Sequence, residues 1–229
     1  MKSSYPYHIP IVVLVEYPIT HESLIASPGM LYLFIVTSSK FVVPVLHATF
    51  VGVPPVKETS CNTLETITID AGNTALKTDG TAVYFKTNFV YDFDMDLGYM
   101  LEYYIPSKAQ GTVKLPSDVY MISAYAFYGC KDLKEVDAGT LVAIDEAAFA
   151  NSGIEKLSAT MLMFVYDNAF RNCKNLTEIN LLTATFIGAG AFDGCAQLKD
   201  IVIPENVTTI GASAFNGCAS LEAVSIPSS

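Results

Sequence analysis

Basic residues are scarce in this chain. Its 229 residues include 13 Lys and Arg against 23 Asp and Glu, which gives a formal net charge of −10 at pH 7. A surface with this balance repels phosphate backbones and anionic lipid headgroups. We therefore expect neither nucleic acid nor a membrane surface as a partner.

Long apolar runs are missing as well. An apolar stretch at residues 30–56 is interrupted by Ser38, Ser39, Lys40, Pro44 and His47. No window reaches the roughly 18 uninterrupted apolar residues that a membrane span needs. The sequence therefore predicts no membrane insertion.

The N-terminal segment is open to two interpretations. Lys2 and the apolar run 9–15 loosely resemble a signal peptide, but prolines flank the run, Glu16 follows it and no small-residue cleavage site appears. The short, β-branched run 11–15 also fits a buried strand. Residues 1–29 are predicted to be either an N-terminal cap or a processed leader.

Catalytic signatures are absent from the sequence. The three histidines, His8, His21 and His47, all precede residue 50, and no H-E-x-x-H, G-x-S-x-G, P-loop or Rossmann motif occurs. The sequence predicts a protein that is not an enzyme and that uses no cofactor. A catalytic site within residues 1–60 is the alternative that these absences leave.

What the chain does have is a repeat. An Ala-Phe pair recurs at intervals of 21 to 23 residues, and an L-x-x-I-x-I triplet follows each pair, as in Leu198, Ile201 and Ile203. This period and triplet predict a right-handed solenoid of leucine-rich-repeat type, which is β-rich and of the α/β class. Its short strands should form a concave parallel sheet, with short helical or irregular turns on the convex side. The repeated phenylalanines are Phe127, Phe149, Phe170, Phe192 and Phe215.

The repeat also divides the chain. Residues 30–229 form the predicted solenoid, with regular repeats at 122–229 and degenerate repeats at 30–69. Residues 70–121 form an expanded repeat. There Asp79 and Gly80 mark a turn, and strand signals at 82–91 and 100–105 predict one inserted β-hairpin that bulges from the coil.

The five cysteines follow the repeat. An odd number argues against a closed disulfide framework, and no CxxC or Cys/His cluster favours a metal site. Four of them stand three residues after a repeated phenylalanine, and Ser152 takes that place in the remaining copy. A cysteine in register with core residues is most simply a small buried side chain.

Strand alternation predicts which side chains the concave sheet exposes. These candidate ligand-binding residues are acidic and small polar groups with one lysine, and a basic patch on a partner protein would complement them. The alternative is a merely solvated face. The candidates are Glu135, Asp137, Lys156, Glu178, Asn180 and Asp200.

The hairpin is rich in aromatic residues. Tyr91, Tyr99 and Tyr103 are candidates for a second interaction surface, and the alternative is that they pack the hairpin onto the solenoid.

Three alternating carboxylates, those of Asp92, Asp94 and Asp96, invite a calcium hypothesis. They fail the EF-hand template, which needs Gly at its sixth and Glu at its twelfth position, where this chain has Leu97 and Tyr103. We predict no metal site and interpret the run as a polar strand face, with a weak divalent-ion site as the alternative.

These motifs resemble the BspA-like (Treponema-type) leucine-rich repeat proteins. The features in common are the AF-x-G/N-C core, the connection at residues 203–211 and the Asp79-Gly80…Tyr84 turn of the expanded repeat. The resemblance covers roughly residues 30–229. It implies a cell-surface or secreted protein that binds another protein, possible host adhesion included. A glycan-binding module and a structural display segment of a longer array are the alternatives.

Overall fold

The computed structural model describes residues 10–11, 41–43, 48–49, 65–69, 73, 76–86 and 98–225. From residue 111 onward the chain winds in stacked coils, and each coil gives one short strand to each of two sheets. The strands are β1 (Pro10–Ile11), β2 (Phe41–Val43), β3 (Ala48–Thr49), β4 (Ile67–Ile69), β5 (Leu76–Thr78), β6 (Ala82–Lys86), β7 (Tyr99–Tyr104), β8 (Gly111–Lys114), β9 (Val119–Ile122), β10 (Leu133–Asp137), β11 (Ala143–Ile144), β12 (Lys156–Ser158), β13 (Phe164–Val165), β14 (Glu178–Ile179), β15 (Phe186–Ile187), β16 (Asp200–Val202), β17 (Thr209–Ile210) and β18 (Ala223–Ser225).

The L-x-x-I-x-I motif forms a parallel sheet, as predicted. Strands β8, β10, β12 and β14 pair in that order, and β16 and β18 continue the motif as a separate parallel pair. We call these six strands the ladder sheet. Val136 lies in register with Val113 on one side and Leu157 on the other, so equivalent aliphatics of successive coils stack inside the solenoid.

A second sheet, which we call the back sheet, lies where helical or irregular turns were expected. It contains eight strands in the order β17-β15-β13-β11-β9-β7-β6-β5. Its regular strands surround the aliphatic that precedes each Ala-Phe pair, such as Ile144 or Ile187. One aliphatic per coil has no strand periodicity, so the sequence did not reveal this sheet. Among the described residues the only helix is a 3₁₀ turn at Pro106–Lys108.

The predicted hairpin is confirmed, and its described strands lie in the back sheet, while residues 87–97 between them lie outside the described residues. β6 and β7 pair antiparallel, β5 adds a third antiparallel strand, and β7 pairs in parallel with β9. The hairpin therefore extends the back sheet. Its first turn uses Asp79, whose Oδ1 accepts the amide hydrogens of Thr81 and Ala82 at 2.8 and 3.0 Å, and Gly80 adopts a φ of 92°. The hydroxyl of Tyr84 donates to the other Asp79 oxygen at 2.8 Å.

Two strand pairs are described upstream. β1 pairs antiparallel with β3, and β2 pairs in parallel with β4, the L-x-x-I-x-I strand of the last degenerate repeat. Most of residues 1–64 lie outside the described residues, including residues 12–15 of the predicted N-terminal strand. The boundaries at residues 29 and 69 stay predictions. In the described part of the chain, no helix has the length and apolar character to cross a bilayer.

The repeated phenylalanines form one continuous stack in the core. Phe127, Phe149, Phe170 and Phe192 are fully buried. Successive ring centroids lie 5.1, 5.1, 5.4 and 5.3 Å apart through Phe215, and the planes differ by at most 8°. Such contacts contribute about 0.5–1.5 kcal/mol each beyond the area they bury. Stacked rings therefore fix the spacing of the coils.

Each coil contains two residues at positive φ, placed two before and two after the phenylalanine. The later position is always Gly or Asn, as at Gly129 and Asn151, because these residues tolerate left-handed backbone. This explains the G/N of the AF-x-G/N-C motif. The earlier position includes Tyr125 and Ala147, which lack that preference. There the coil geometry imposes the conformation at a cost of roughly 1–3 kcal/mol.

Among the described cysteines, Cys130, Cys173 and Cys195 are buried as predicted and Cys218 is partly buried, and three of the four also bond neighbouring coils. The thiols of Cys173, Cys195 and Cys218 donate to the carbonyl of the phenylalanine in the preceding coil at 3.0–3.2 Å. Burial raises the pKa of Cys173 to about 12 and that of Cys130 to about 12. At neutral pH the Cys173 thiol therefore keeps the proton that its hydrogen bond to Phe149 requires.

We expect Phe170→Ala to lower the free energy of unfolding by about 3–5 kcal/mol, because it empties the middle of the stack. Urea denaturation followed by circular dichroism measures this. The control is Phe215→Ala, whose ring is only partly buried and should lose less. An equal loss at both positions would contradict the stacking role.

The thiols give a second prediction. In the folded protein Cys130, Cys173 and Cys195 should resist alkylation at pH 8, and the partly exposed Cys218 should react first, because the thiolate is the nucleophile. Mass spectrometry of the alkylated protein identifies the modified positions. Uniform modification in the absence of denaturant would disprove the burial.

Candidate functional site

The ladder sheet brings four of the six candidate ligand-binding residues together. Glu135, Lys156 and Glu178 lie in register on adjacent strands, and Thr112 of β8 extends their row. Asp137 is the middle residue of a second row, with Lys114 on one side and Ser158 on the other. Adjacent strands are about 4.8 Å apart, so the two rows form a continuous polar surface. We call this surface, with the residues just named, the ladder face.

Charges of opposite sign alternate across the ladder face. Lys156 Nζ lies 3.6 Å from Glu178 Oε2, and Lys114 Nζ lies 3.6 Å from Asp137 Oδ2. The Ser158 hydroxyl donates to Glu135 Oε1 at 2.9 Å. Such exposed ion pairs contribute about 0–1 kcal/mol each, so a partner can exchange its own charges for them at little cost.

Sequence reasoning missed Lys114. The acidic ladder was expected to contain a single lysine, but β8 adds a second one. The alternation that identifies outward residues was nevertheless present in the sequence. Lys114 stands between Val113 and Leu115, which are both buried, just as each outward residue of the regular repeats stands between aliphatics. The surface is therefore a mosaic of both signs rather than an acidic strip.

The other two candidates lie apart from the ladder face. Asn180 follows the end of β14, and its Oδ1 accepts the amide hydrogen of Leu182 at 3.0 Å, which is the contact of a turn residue. Asp200 is exposed on β16, opposite Ala223. That any of the six binds a ligand stays a prediction.

A polar groove of about 470 Å³ adjoins the ladder face where its strands begin. Lys134 Nζ and Glu155 Oε1 face each other there at 3.1 Å. Nothing in the sequence indicated this groove, because its walls come from positions at or just before the start of the ladder strands in four successive coils. The lining residues are Gln110, Gly111, Lys131, Asp132, Lys134, Gly153, Glu155 and Asn175.

The described part of the hairpin is packed against the solenoid. Lys77 Nζ lies 3.5 Å from the ring centroid of Tyr99 and 2.7 Å from Asp118 Oδ2. This cation-π contact and the packing of Tyr99 against the core hold the hairpin against the solenoid. Tyr103 is partly buried on β7, and Tyr91 lies outside the described residues. An interaction role for these tyrosines stays a prediction.

The hypothetical divalent-ion site falls outside the described residues, since Asp92, Asp94 and Asp96 are not among them. Within residues 65–69, 73, 76–86 and 98–225, no three His, Cys, Asp or Glu side chains are grouped so as to hold a metal ion.

A family model for the BspA-type leucine-rich repeat region, with six copies, matches residues 104–222. The chain belongs to the BspA-type leucine-rich repeat family. The matched residues include the strands β8 to β17, the phenylalanine stack and the ladder face. Leucine-rich repeat solenoids of this kind are typically non-enzymatic scaffolds that bind proteins.

Solved structures of bacterial leucine-rich repeat proteins resemble this BspA-type chain. One from Treponema pallidum is 27% identical with a TM-score of 0.57, over 65% of this chain and 70% of that one. A leucine-rich cell surface protein from Faecalibacterium prausnitzii is 26% identical with a TM-score of 0.61, over 84% and 49%. One from Bacteroides ovatus is 30% identical with a TM-score of 0.53, over 66% and 41%. This chain thus spans less than half of the last two proteins. Among curated proteins no significant match is found.

Two half-buried carboxyls, those of Glu102 and Asp145, lie at the back sheet of this BspA-type solenoid. The Ser123 hydroxyl donates to Glu102 Oε1 at 3.0 Å. Burial raises the pKa of Glu102 to about 7, against the effect of that hydrogen bond, and the negative charge of Asp145 adds to the rise. Burial also raises the pKa of Asp145.

Because Glu102 holds its proton more tightly in the folded chain, its stabilising effect is present at low pH. That effect is lost as the pH rises from about 4.5 through about 7. Between pH 5 and pH 8 the wild type should lose up to about 3 kcal/mol of its free energy of unfolding through this group. We expect Glu102→Gln, which mimics the protonated carboxyl, not to show this loss. Urea titrations at both pH values measure this. The exposed Glu146→Gln is the control, and identical pH profiles for Glu102→Gln and wild type would refute the assignment.

Proposed function

We propose that this chain is a non-catalytic binding solenoid, displayed at a cell surface or secreted, that recognises a protein through its ladder face. The observation that carries the proposal is the alternation of exposed charges in register on a rigid parallel sheet. Three carboxylates and two ammonium groups are presented at the spacing of adjacent strands. A partner segment with the opposite alternation matches this surface.

The chemistry of the ladder face sets the expected kind of binding. Thr112, Lys114, Lys156 and Glu178 are exposed, and no aromatic side chain stands among the residues of the face. Without aromatic anchors, binding depends on charge pairs rather than on a desolvated hot spot. Such binding should weaken as the ionic strength rises.

The proposed location at the cell surface or outside the cell is supported by a similar protein. The matching protein of Faecalibacterium prausnitzii is described as a cell surface protein, and its fold extends over most of this chain. Display outside the cell is consistent with a scaffold whose inward side chains stack and whose outward surface is polar. Adhesion to a host protein is one form that such binding takes.

A glycan ligand is the second candidate, and the polar groove beside Lys134 and Glu155 is the observation that favours it. Its lining supplies amide, ammonium and carboxylate groups that can hydrogen-bond hydroxyls. The lining contains no aromatic ring on which a sugar could stack. A protein partner on the ladder face is therefore the better-supported proposal. In the remaining alternative, display within a longer array, neither surface binds.

A matched pair of variants tests the ladder face. Glu135→Gln with Glu178→Gln removes two carboxylates from the face, and Glu146→Gln with Glu205→Gln removes two exposed carboxylates elsewhere. Binding is measured by surface plasmon resonance against extracellular-matrix proteins and a glycan panel. For a protein ligand we expect the first variant to lose about tenfold or more in affinity, roughly 1.4 kcal/mol, and the control to change little.

Other outcomes discriminate among the alternatives. Binding to glycans alone, lost on Lys134→Ala and retained by the ladder variant, would assign the groove. Equal binding by wild type and ladder variant would remove the ladder face from the proposal. No binding to any probe would overturn the binding function and favour the display role.

A further inference from the structure

Three large apolar side chains are exposed along one edge of the solenoid, where the chain passes from the ladder sheet to the back sheet. They are Met161, Met163 and Leu182, which are 52%, 37% and 63% exposed. Leu162, between the two methionines, is fully buried, so the coil directs alternate side chains into the core and into solvent. The Thr183 hydroxyl donates to the Leu162 carbonyl at 2.9 Å, which brings the neighbouring Leu182 beside the methionines. We call these three exposed residues the apolar edge.

The apolar edge lies on the side of the solenoid, with described coils before and after it. The Met163 amide donates to the Val142 carbonyl of the preceding coil at 2.8 Å. The Met163 carbonyl accepts the Thr185 amide of the following coil, also at 2.8 Å. Hydrogen bonds on both sides therefore fix the backbone here, and the exposed side chains stand on a rigid support.

The charge around the apolar edge is of one sign. Residues 138–149, 159–170 and 180–192 run from the ladder sheet to the phenylalanine in three successive coils, and they contain no lysine or arginine. Their charged side chains are those of Asp145, Glu146 and Asp167. All three are at least partly exposed, and we call them the acidic border. The ladder face, in contrast, carries charges of both signs.

An apolar edge with an acidic border discriminates among the surfaces able to cover it. A second copy of the chain would bring carboxylates against carboxylates, and an anionic membrane surface would be repelled as well. A protein segment with apolar side chains beside lysine or arginine fits both parts, because it buries the apolar area and pairs its cations with the carboxylates. Methionine suits such a contact, since its flexible thioether adapts to partners of different shape.

We propose that the apolar edge is a second docking surface, and that its occupant is a basic amphipathic segment of a partner protein. Exposed apolar patches rimmed by polar residues are typical of protein interaction sites. The residues of the apolar edge follow the ends of the ladder strands, and none of them belongs to the ladder face. The two surfaces can therefore be tested separately.

Fluorescence anisotropy with defined peptides tests the proposal. The probe is a labelled helical peptide that carries leucines on one face and lysines on the other. One counterpart replaces the lysines with glutamates, and a second replaces the leucines with serines. We expect wild type to bind the leucine-lysine peptide and to bind each counterpart at least about tenfold more weakly, because each counterpart fits only one part of the surface.

Met161→Gln, Met163→Gln and Leu182→Gln together remove the apolar edge without adding charge. We expect this variant to raise the dissociation constant of the leucine-lysine peptide about tenfold or more, because little apolar area is left to bury. The control is Val202→Gln, which removes a 57% exposed apolar side chain from the ladder sheet and should change binding little. Thermal melting checks the fold of each variant, and Leu182→Gln alone replaces the triple variant if that one does not fold.

Charge variants locate the peptide on the surface. Glu146→Gln with Asp167→Asn removes two carboxylates of the acidic border and should raise the dissociation constant about threefold or more. Glu135→Gln with Glu178→Gln, the ladder variant, should retain peptide binding, so failure here is distinguishable from failure of the ladder face. A loss confined to the ladder variant would overturn the proposal, since the peptide would then bind the ladder face.

Three further results would overturn the proposal. One is equal binding of the leucine-lysine peptide by wild type and the triple variant, and another is equal binding of the lysine and glutamate peptides by wild type. The third is a dimer of wild type, seen by sedimentation velocity, that the triple variant abolishes, because it would assign the apolar edge to a second copy of the chain.

Discussion

The repeated contact between one coil and the next is the interaction on which this structure depends. A stacked phenylalanine ring, a thiol-to-carbonyl hydrogen bond and main-chain hydrogen bonds recur together at each junction from Phe149 to Phe215. Two-residue strands such as β11 and β13 are too short to persist alone. They exist because neighbouring coils hold them in register. The positive φ of Tyr125 and Ala147 is stabilised by the same stacking.

This arrangement separates scaffold from surface. Inward positions are filled by aliphatics, Phe and Cys that repeat with little variation, so they carry no information about a partner. The outward positions of the ladder sheet are free to vary because each is exposed on a strand fixed from behind. The features that distinguish this chain from other coils of the same type are therefore the charge mosaic around Glu135 and Lys156 and the adjoining polar groove.

Much of the fold was predictable from the sequence. The period, the L-x-x-I-x-I triplet and the Asp79-Gly80 turn indicated the ladder sheet, the buried cysteines and the antiparallel hairpin. The back sheet was not predictable, since a single aliphatic such as Ile144 has no strand periodicity. For the candidate site, alternation identified Glu135, Asp137, Lys156 and Glu178. It overlooked Lys114, because β8 precedes the first regular repeat, and it included Asn180, which the strand does not reach.

The sequence by itself determined the family, the coil spacing and which side chains point inward, because these follow from local periodicity and from residue types such as Gly or Asn at positive φ. Only the tertiary structure decided which charges meet, as Lys114 and Asp137 do, where the groove forms and how the hairpin joins the back sheet. It also showed that the Tyr104 ring lies against Phe127 at the start of the phenylalanine stack. These features join residues about twenty positions apart in adjacent coils, and such relations are fixed by packing between coils rather than by any local preference.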